Sequence, residues 1–265
     1  MPTKARRPSV EVVARWIAAG FGQGAGREYK PFLYVRDVPS TGLSSMVSSR
    51  ITCRTHHYLS SLELSVHLLA EFDKGTQDIR EQFALLPWEE TRQIAADAGI
   101  RHPIYPGTQT PIVMTTDLLV TQTKGNKVSH RAISVKPAGE LSARTADKLW
   151  IEQVYWLRRG VEWRLVAEDD IPKHKAQNLR FFELARVAEA PAHVVVTPAE
   201  FSRQFERLWQ RDKRYIELLS AASQAVGVDN ETGHVLLGKA VWAHESAIDI
   251  DSQTLAHRSF VKLKH

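Results

Sequence analysis

Residues 115–136 read TTDLLVTQTKGNKVSHRAISVK, and this stretch can bring an acid and a lysine together. Two apolar, β-favouring runs flank Lys124-Gly125-Asn126-Lys127, a turn signal, so the spacing predicts a β-hairpin. Asp117 lies on its first strand and Lys136 ends its second. Alternation along a strand puts Ser134 and Lys136 on one face, Ile133 and Val135 on the other. An acid and a lysine meeting at one sheet edge can serve a metal-assisted attack on a phosphodiester. Such hydrolysis needs an activated water, neutralised charge on the phosphate and a protonated leaving oxygen. Magnesium held by carboxylates supplies the first two. It prefers oxygen ligands and keeps several waters, so two acids and one backbone carbonyl suffice. A nearby lysine can orient the water or stabilise the developing charge.

Glu63 is the candidate for the second acid. It also stands three residues after Ser60, at the spacing of a helix capping box, and by spacing alone capping is the first reading of it. Glu152 falls on a long predicted helix, where an exposed acid is the ordinary reading. The common nuclease pattern places an acid two residues before the lysine; that position is Ser134 here. His56 and His57 are adjacent and in a strand would face opposite ways, which makes them a poor metal pair.

The elements that must position these groups follow from the pattern. Ser9 can cap a helix whose Val10, Val13, Ala14 and Ile17 share a face, ending at Gly20. The glycines in Gly22-Gln23-Gly24-Ala25-Gly26 follow a helix rather than a strand, which argues against a dinucleotide loop and for a flexible connection. Arg27 and Lys30, just after it, can lie along a nucleic-acid backbone. Short strands are expected over 44–49 and 52–59, then a helix over 60–72 with Leu62, Val66 and Leu69 on its apolar stripe. A strand over 78–86, a short helix over 91–98 and a proline-rich loop over 102–111 lead into the hairpin. A long helix over 142–159, a strand over 161–167 and a helix from Pro172 to about residue 188 follow. This order predicts a mixed sheet with helices on its faces. Ala190-Pro191 marks a change of texture. Thr197-Pro198 opens a helix by cap-and-proline logic, and 215–226 forms its partner. Residues 230–233 read as a turn; 234–242 and 246–250 fit either extended or helical pieces. The basic residues Arg203, Arg207, Arg211, Lys213 and Arg214 alternate with acids, as on a solvated helix face.

The 265 residues suffice for one large domain or two small ones, and the formal charge of +5 weakly favours an anionic partner. The one cysteine, Cys53, excludes an internal disulfide and a cysteine zinc site, and fits a reducing cytoplasm. No apolar run reaches membrane-spanning length, and the basic N-terminus lacks the features of a secretory signal.

Beyond the three candidate residues, a set of stretches in order resembles one family. These are GQGAGREYKPFLYVRDVPSTG (22–42), HHYLSSLELSVHLLAEF (56–72), DIREQFALLP (78–87), ETRQIAADAGIRHP (90–103), MTTDLLV (114–120), ISVKPA (133–138) and KLWIEQVYW (148–156). Together they are similar to the TnsA endonucleases, subunits of heteromeric bacterial transposases. The resemblance implies a restriction-endonuclease-like α/β core, a mixed sheet flanked by helices over 1–171. A small winged-helix-like, partner-binding domain over 172–265 would follow. It implies Glu63, Asp117 and Lys136 as catalytic residues. The metal ligands would be Glu63, Asp117 and the Val135 backbone, with Glu152 in a supporting role. In this family the residue two before the lysine is commonly glutamine, so Ser134 is a tolerated departure. The implied cofactor is Mg2+, with Mn2+ able to substitute. The implied partners are double-stranded DNA at transposon ends, an integrase-like transposase subunit and an AAA+ regulatory ATPase. The implied activity is nicking at the 5′ ends of the element in the bacterial cytoplasm. A non-catalytic assembly module and a stand-alone structure-specific nuclease are the alternatives.

Overall fold

A computed structural model describes residues 7–35 and 43–264. Residues 1–6, 36–42 and 265 lie outside it, among them the end of the 22–42 match. In chain order the elements are α1 (Val10–Ala18), β1 (Ser45–Ser48), β2 (Thr55–Tyr58), α2 (Ser61–Phe72), β3 (Thr76–Ala84), α3 (Trp88–Asp97), β4 (Thr115–Lys124), β5 (Lys127–Val135), α4 (Ala143–Leu157) and β6 (Glu162–Val166). They continue with α5 (Lys173–Phe181), α6 (Pro198–Arg207), α7 (Tyr215–Val226) and α8 (Asn230–Trp242). The chain divides into two compact units, Met1–Ile171 and Pro172–His265.

The expected hairpin is the middle of the first unit. β4 and β5 pair antiparallel from Leu118↔Ile133 to Lys124↔Lys127, and Gly125 takes φ +59 in the two-residue turn. That conformation is open to glycine and strained for most other residues. The sheet runs β3-β4-β5-β6, with β6 parallel to β5 and the other pairs antiparallel, so it is mixed. Leu119 and Ala132 pack with Ile94, Ile151, Tyr155 and Trp156 of α3 and α4. Their neighbours Val120 and Ile133 turn the other way, toward Val66 and Leu69 of α2. Helices thus cover both faces, which matches an α/β sheet with apolar residues on both sides of its central strands.

α2 departs from the expected simple stripe. Leu62 and Leu69 are only half-buried, whereas Glu63, His67 and Glu71 are buried one above the other at i, i+4 and i+8. β1 and β2 form a small two-stranded sheet that supplies the polar partners. Tyr58 Oη lies 2.6 Å from His67 Nδ1, His67 Nε2 lies 2.9 Å from Glu71, and Ser49 Oγ donates to Glu71 at 2.9 Å. Arg54 donates twice to Glu81 on β3, at 2.8 and 2.5 Å, and His56 Nδ1 lies 2.8 Å from the same carboxylate. Burial works against the Glu81 charge, but His56 and Arg54 outweigh it and hold its carboxyl well below the usual range. Of the two histidines, His56 is therefore a core residue tied to an acid.

The glycine-rich stretch is not a flexible connection. Gly22 has φ +74, and a Cβ there would stand 2.3 Å from the Ala84 Cβ at the end of β3. Gly26 N donates to Asp78 at 3.2 Å and Tyr29 Oη to the Glu81 carbonyl at 3.0 Å. The loop is packed along β3 because its glycines permit backbone-to-backbone approach.

The second unit is helical. Thr197 caps α6 in a reciprocal box with Glu200, and α7 spans the expected residues. The 230–233 turn is instead the first turn of α8: the Asp229 side chain accepts from Thr232 N, and Gly233 lets α8 approach Ser223 and Phe201. Strand pairing here is limited, among the described residues, to the isolated antiparallel bridges Arg214↔Phe260 and Ile248↔Leu263.

Candidate active site

The β4–β5 ladder stops at Leu118↔Ile133, and the candidate residues lie just past its end. There the Asp117 carboxylate takes the place of a backbone acceptor: Val135 N donates to its Oδ2 at 2.8 Å. Lys136 Nζ donates to the same Oδ2 at 2.8 Å and to the Val135 carbonyl at 2.8 Å. β6 holds the far side of this strand end, through Val135↔Val166 and a bond from Lys136 N to the Val166 carbonyl at 3.1 Å. Lys136 remains 31% exposed at its side chain while Asp117 is 12% exposed. The ammonium can therefore meet a substrate, and the carboxylate is held.

Glu63 is tied into the start of α2. Ser60 caps α2, its Oγ accepting from Glu63 N at 3.2 Å and donating to Glu63 Oε1 at 3.0 Å. Leu59 N donates to Oε2 at 3.0 Å. Each carboxylate oxygen keeps acceptor capacity beyond these bonds. Burial first, and the Asp117 charge second, push the Glu63 carboxyl up to about 7; the Leu59 amide, Ser60 and Lys136 pull the other way.

Glu152 is not the exposed helix acid expected. It is 5% exposed, and its Oε1 accepts from Thr116 Oγ1 at 2.6 Å and from Ser134 Oγ. Trp156 Nε1 donates to Thr116 at 2.7 Å and Trp163 Nε1 to Ser134 at 3.1 Å. Burial, then the Asp117 charge, raise the Glu152 carboxyl to about 7 against these donors. Ser134 thus turns its hydroxyl to a buried acid on α4. Asp117, Lys136 and Glu152 share the wall of an open cavity of about 250 Å3 with Thr145 and Lys148 of α4.

The Asp117 carboxylate and the Val135 carbonyl are hard oxygen donors, the kind that magnesium prefers. The Lys136 ammonium already stands between Asp117 Oδ2 and the Val135 carbonyl, two of the three oxygens nominated, so a cation is stabilised at this point. No group of three His, Cys, Asp or Glu side chains arranged for a metal occurs among the described residues. Two carboxylates, a carbonyl and waters would make up the shell, as magnesium accepts. Thr116, Trp156 and Trp163 were not singled out by pattern, nor was Gln82, which reaches Asp117 from β3. Hydroxyls and indoles in apolar strands read as packing; only the fold shows what they bond.

The first unit is thus a mixed sheet flanked by helices, with Asp117 and Lys136 bonded to each other past the end of its central hairpin. Residues 73–168 match the family model for the TnsA-like endonuclease N terminal domain. Over 184 residues the chain is 41% identical to the Transposon Tn7 transposition protein TnsA of Escherichia coli. That alignment covers 69% of this chain and 66% of the relative's own length, just under two thirds. Residues 73–168 thus carry the N-terminal domain of the TnsA-like endonuclease family. The family match holds Asp117, Val135, Lys136 and Glu152 and begins beyond Glu63. No helix among the described residues is long and apolar enough to cross a membrane.

Proposed function

We propose that this chain is a magnesium-dependent DNA endonuclease that nicks the 5′ ends of a transposon during cut-and-paste transposition. The observation that carries this reading is the cluster at the end of the hairpin: Asp117 Oδ2 and the Val135 carbonyl both bound to Lys136 Nζ, with Glu63 disturbed by the Asp117 charge. Glu63, Asp117 and the Val135 carbonyl would hold Mg2+, or Mn2+ in its place. When bound, the ion supplies an activated water and neutralises charge on the scissile phosphate. Lys136 keeps its proton: burial opposes the charge, but Asp117 more than offsets it and raises the ammonium above its ordinary range. It can then donate to a phosphate oxygen or the attacking water as negative charge develops. Glu152 stays tied to Thr116 and Ser134 and fixes the pitch of α4 against the hairpin. Lys148 and Lys136, on the rim of the cavity, face the backbone of double-stranded DNA at the transposon ends.

The relative is named as a transposition protein, and this supports a role in transposition. An integrase-like transposase subunit would process the 3′ ends and an AAA+ regulatory ATPase would couple cutting to target choice. The C-terminal unit, winged-helix-like in this reading, would carry the partner contacts. The test mixes the chain with its transposase subunit, end DNA and Mg2+, and compares wild type with Asp117→Ala. Loss of 5′-strand nicks in the variant supports the site; unchanged nicks overturn it. A wild type that never nicks yet supports joining identifies an assembly module instead.

A further inference from the structure

Of the three described non-glycine residues with positive φ, Gln82 alone lies in a strand, at φ +45 within β3. The β3–β4 ladder runs through Glu81↔Leu118, resumes at Phe83↔Thr116 and omits the pair between them, Gln82 and Asp117. The Gln82 carbonyl is turned to Phe32 N, which donates to it at 3.2 Å. A left-handed conformation is unfavourable for a side chain with a Cβ and persists only where its surroundings hold it. Gln82 is 2% exposed, and its amide lies against Asp117 and Thr115. Gln82 Nε2 lies 3.4 Å from Asp117 Oδ1, and Thr115 Oγ1 donates to Gln82 Oε1 at 3.1 Å. The orientation of that amide is decided by chemistry: a carboxylate only accepts, so the NH2 end must face Asp117, while a threonine hydroxyl suits either end. Asp117 Oδ2 is already held by Val135 N and Lys136 Nζ. Gln82 faces the other oxygen.

We infer that Gln82 is a positioning residue for the metal-binding carboxylate: its strained backbone aims an amide at Asp117 Oδ1 and sets the plane in which Asp117 meets a divalent cation. This rests on the metal reading proposed above. In a regular antiparallel ladder Gln82 would stand opposite Asp117 with its side chain on the same face. The left-handed backbone takes Gln82 out of the ladder, turns its carbonyl to Phe32 and so sets the angle at which the amide meets Asp117 Oδ1. Partners of metal-binding groups that orient a ligand in this way typically change affinity by about 10–100-fold when removed.

The experiment measures Mn2+ binding by the paramagnetic resonance signal of free Mn2+, alongside Tm in EDTA, on the full chain. Gln82→Met keeps the length of the side chain and removes the amide. It should weaken Mn2+ binding by about 10–100-fold. Gln82→Gly accepts the left-handed backbone without strain and also lacks the amide, so it serves if the methionine variant does not fold. The same weakening in whichever variant folds supports the inference; an unchanged Kd with a lowered Tm makes Gln82 merely structural and overturns it. Asp117→Asn separates the two readings. If wild type binds Mn2+ and Asp117→Asn does not, the metal site stands and the Gln82 variants decide alone. If wild type binds no Mn2+, or Asp117→Asn binds as well as wild type, the metal reading fails and this inference falls with it.

Discussion

Lys136 and Glu63 bring opposite electrostatic problems to the same site. Lys136 spans Asp117 Oδ2 and the Val135 carbonyl and so competes for oxygens a metal would use. Lys136→Met should leave Mn2+ affinity equal or tighter while lowering nicking by about 100-fold or more, because charge stabilisation at the phosphate is lost; calorimetric titration and a nicking time course separate the effects. Glu63 is raised to about 7 by burial and by Asp117. The folded chain therefore keeps a proton that the unfolded chain has released, and stability falls as pH rises from about 4.5 to about 7. Glu63→Gln removes that loss. In EDTA, the Tm of the variant minus that of wild type should grow more positive between about pH 5 and about pH 7.5. A difference that stays flat across this range would show that Glu63 ionises normally.

At the scale of elements, the site is made where regular pairing ends. The β4–β5 pairing ends at Leu118↔Ile133, so Val135 N bonds the Asp117 carboxylate instead; β3 breaks its ladder at Gln82; Ser60 caps α2 three residues before Glu63. Ser60→Ala should cost about 1 kcal/mol in urea unfolding, as loss of a serine cap does. It should also weaken Mn2+ binding, because Ser60 Oγ holds Glu63 Oε1; a variant that loses stability but binds Mn2+ unchanged would limit Ser60 to capping. The hairpin, α2 and α4 were legible in the sequence because apolar spacing, turn residues and caps act within a few positions of one another. The Glu63–His67–Glu71 row at four-residue intervals is also present in the sequence, but charged and imidazole side chains at that spacing are ordinarily exposed, and Leu62 and Leu69 fit an apolar stripe beside them. Burial of that polar row depends on Tyr58, His56 and Ser49 arriving from a separate small sheet.

The whole molecule divides at Ile171, and all the nominated site residues lie in the first unit. Residues 1–171, expressed alone, should unfold cooperatively and bind Mn2+ as the full chain does, read by thermal denaturation and titration; an unfolded fragment would make the site dependent on the second unit. What the sequence by itself determined was local: the hairpin and its turn, the capped helices, the order that makes a mixed sheet, and the residue types able to do the chemistry. What tertiary structure decided was which of those types share a site. Glu152 reads as a surface acid because its partners Thr116 and Ser134 lie on two other strands. Gln82 reads as ordinary strand because its conformation is imposed by Phe32 and the ladder break, not by its neighbours in the chain. Propensity and periodicity report a residue's own backbone preferences. Burial, charge coupling and a forced backbone arise only when distant segments meet, and at this site Asp117 is where β3, β4 and β5 do so.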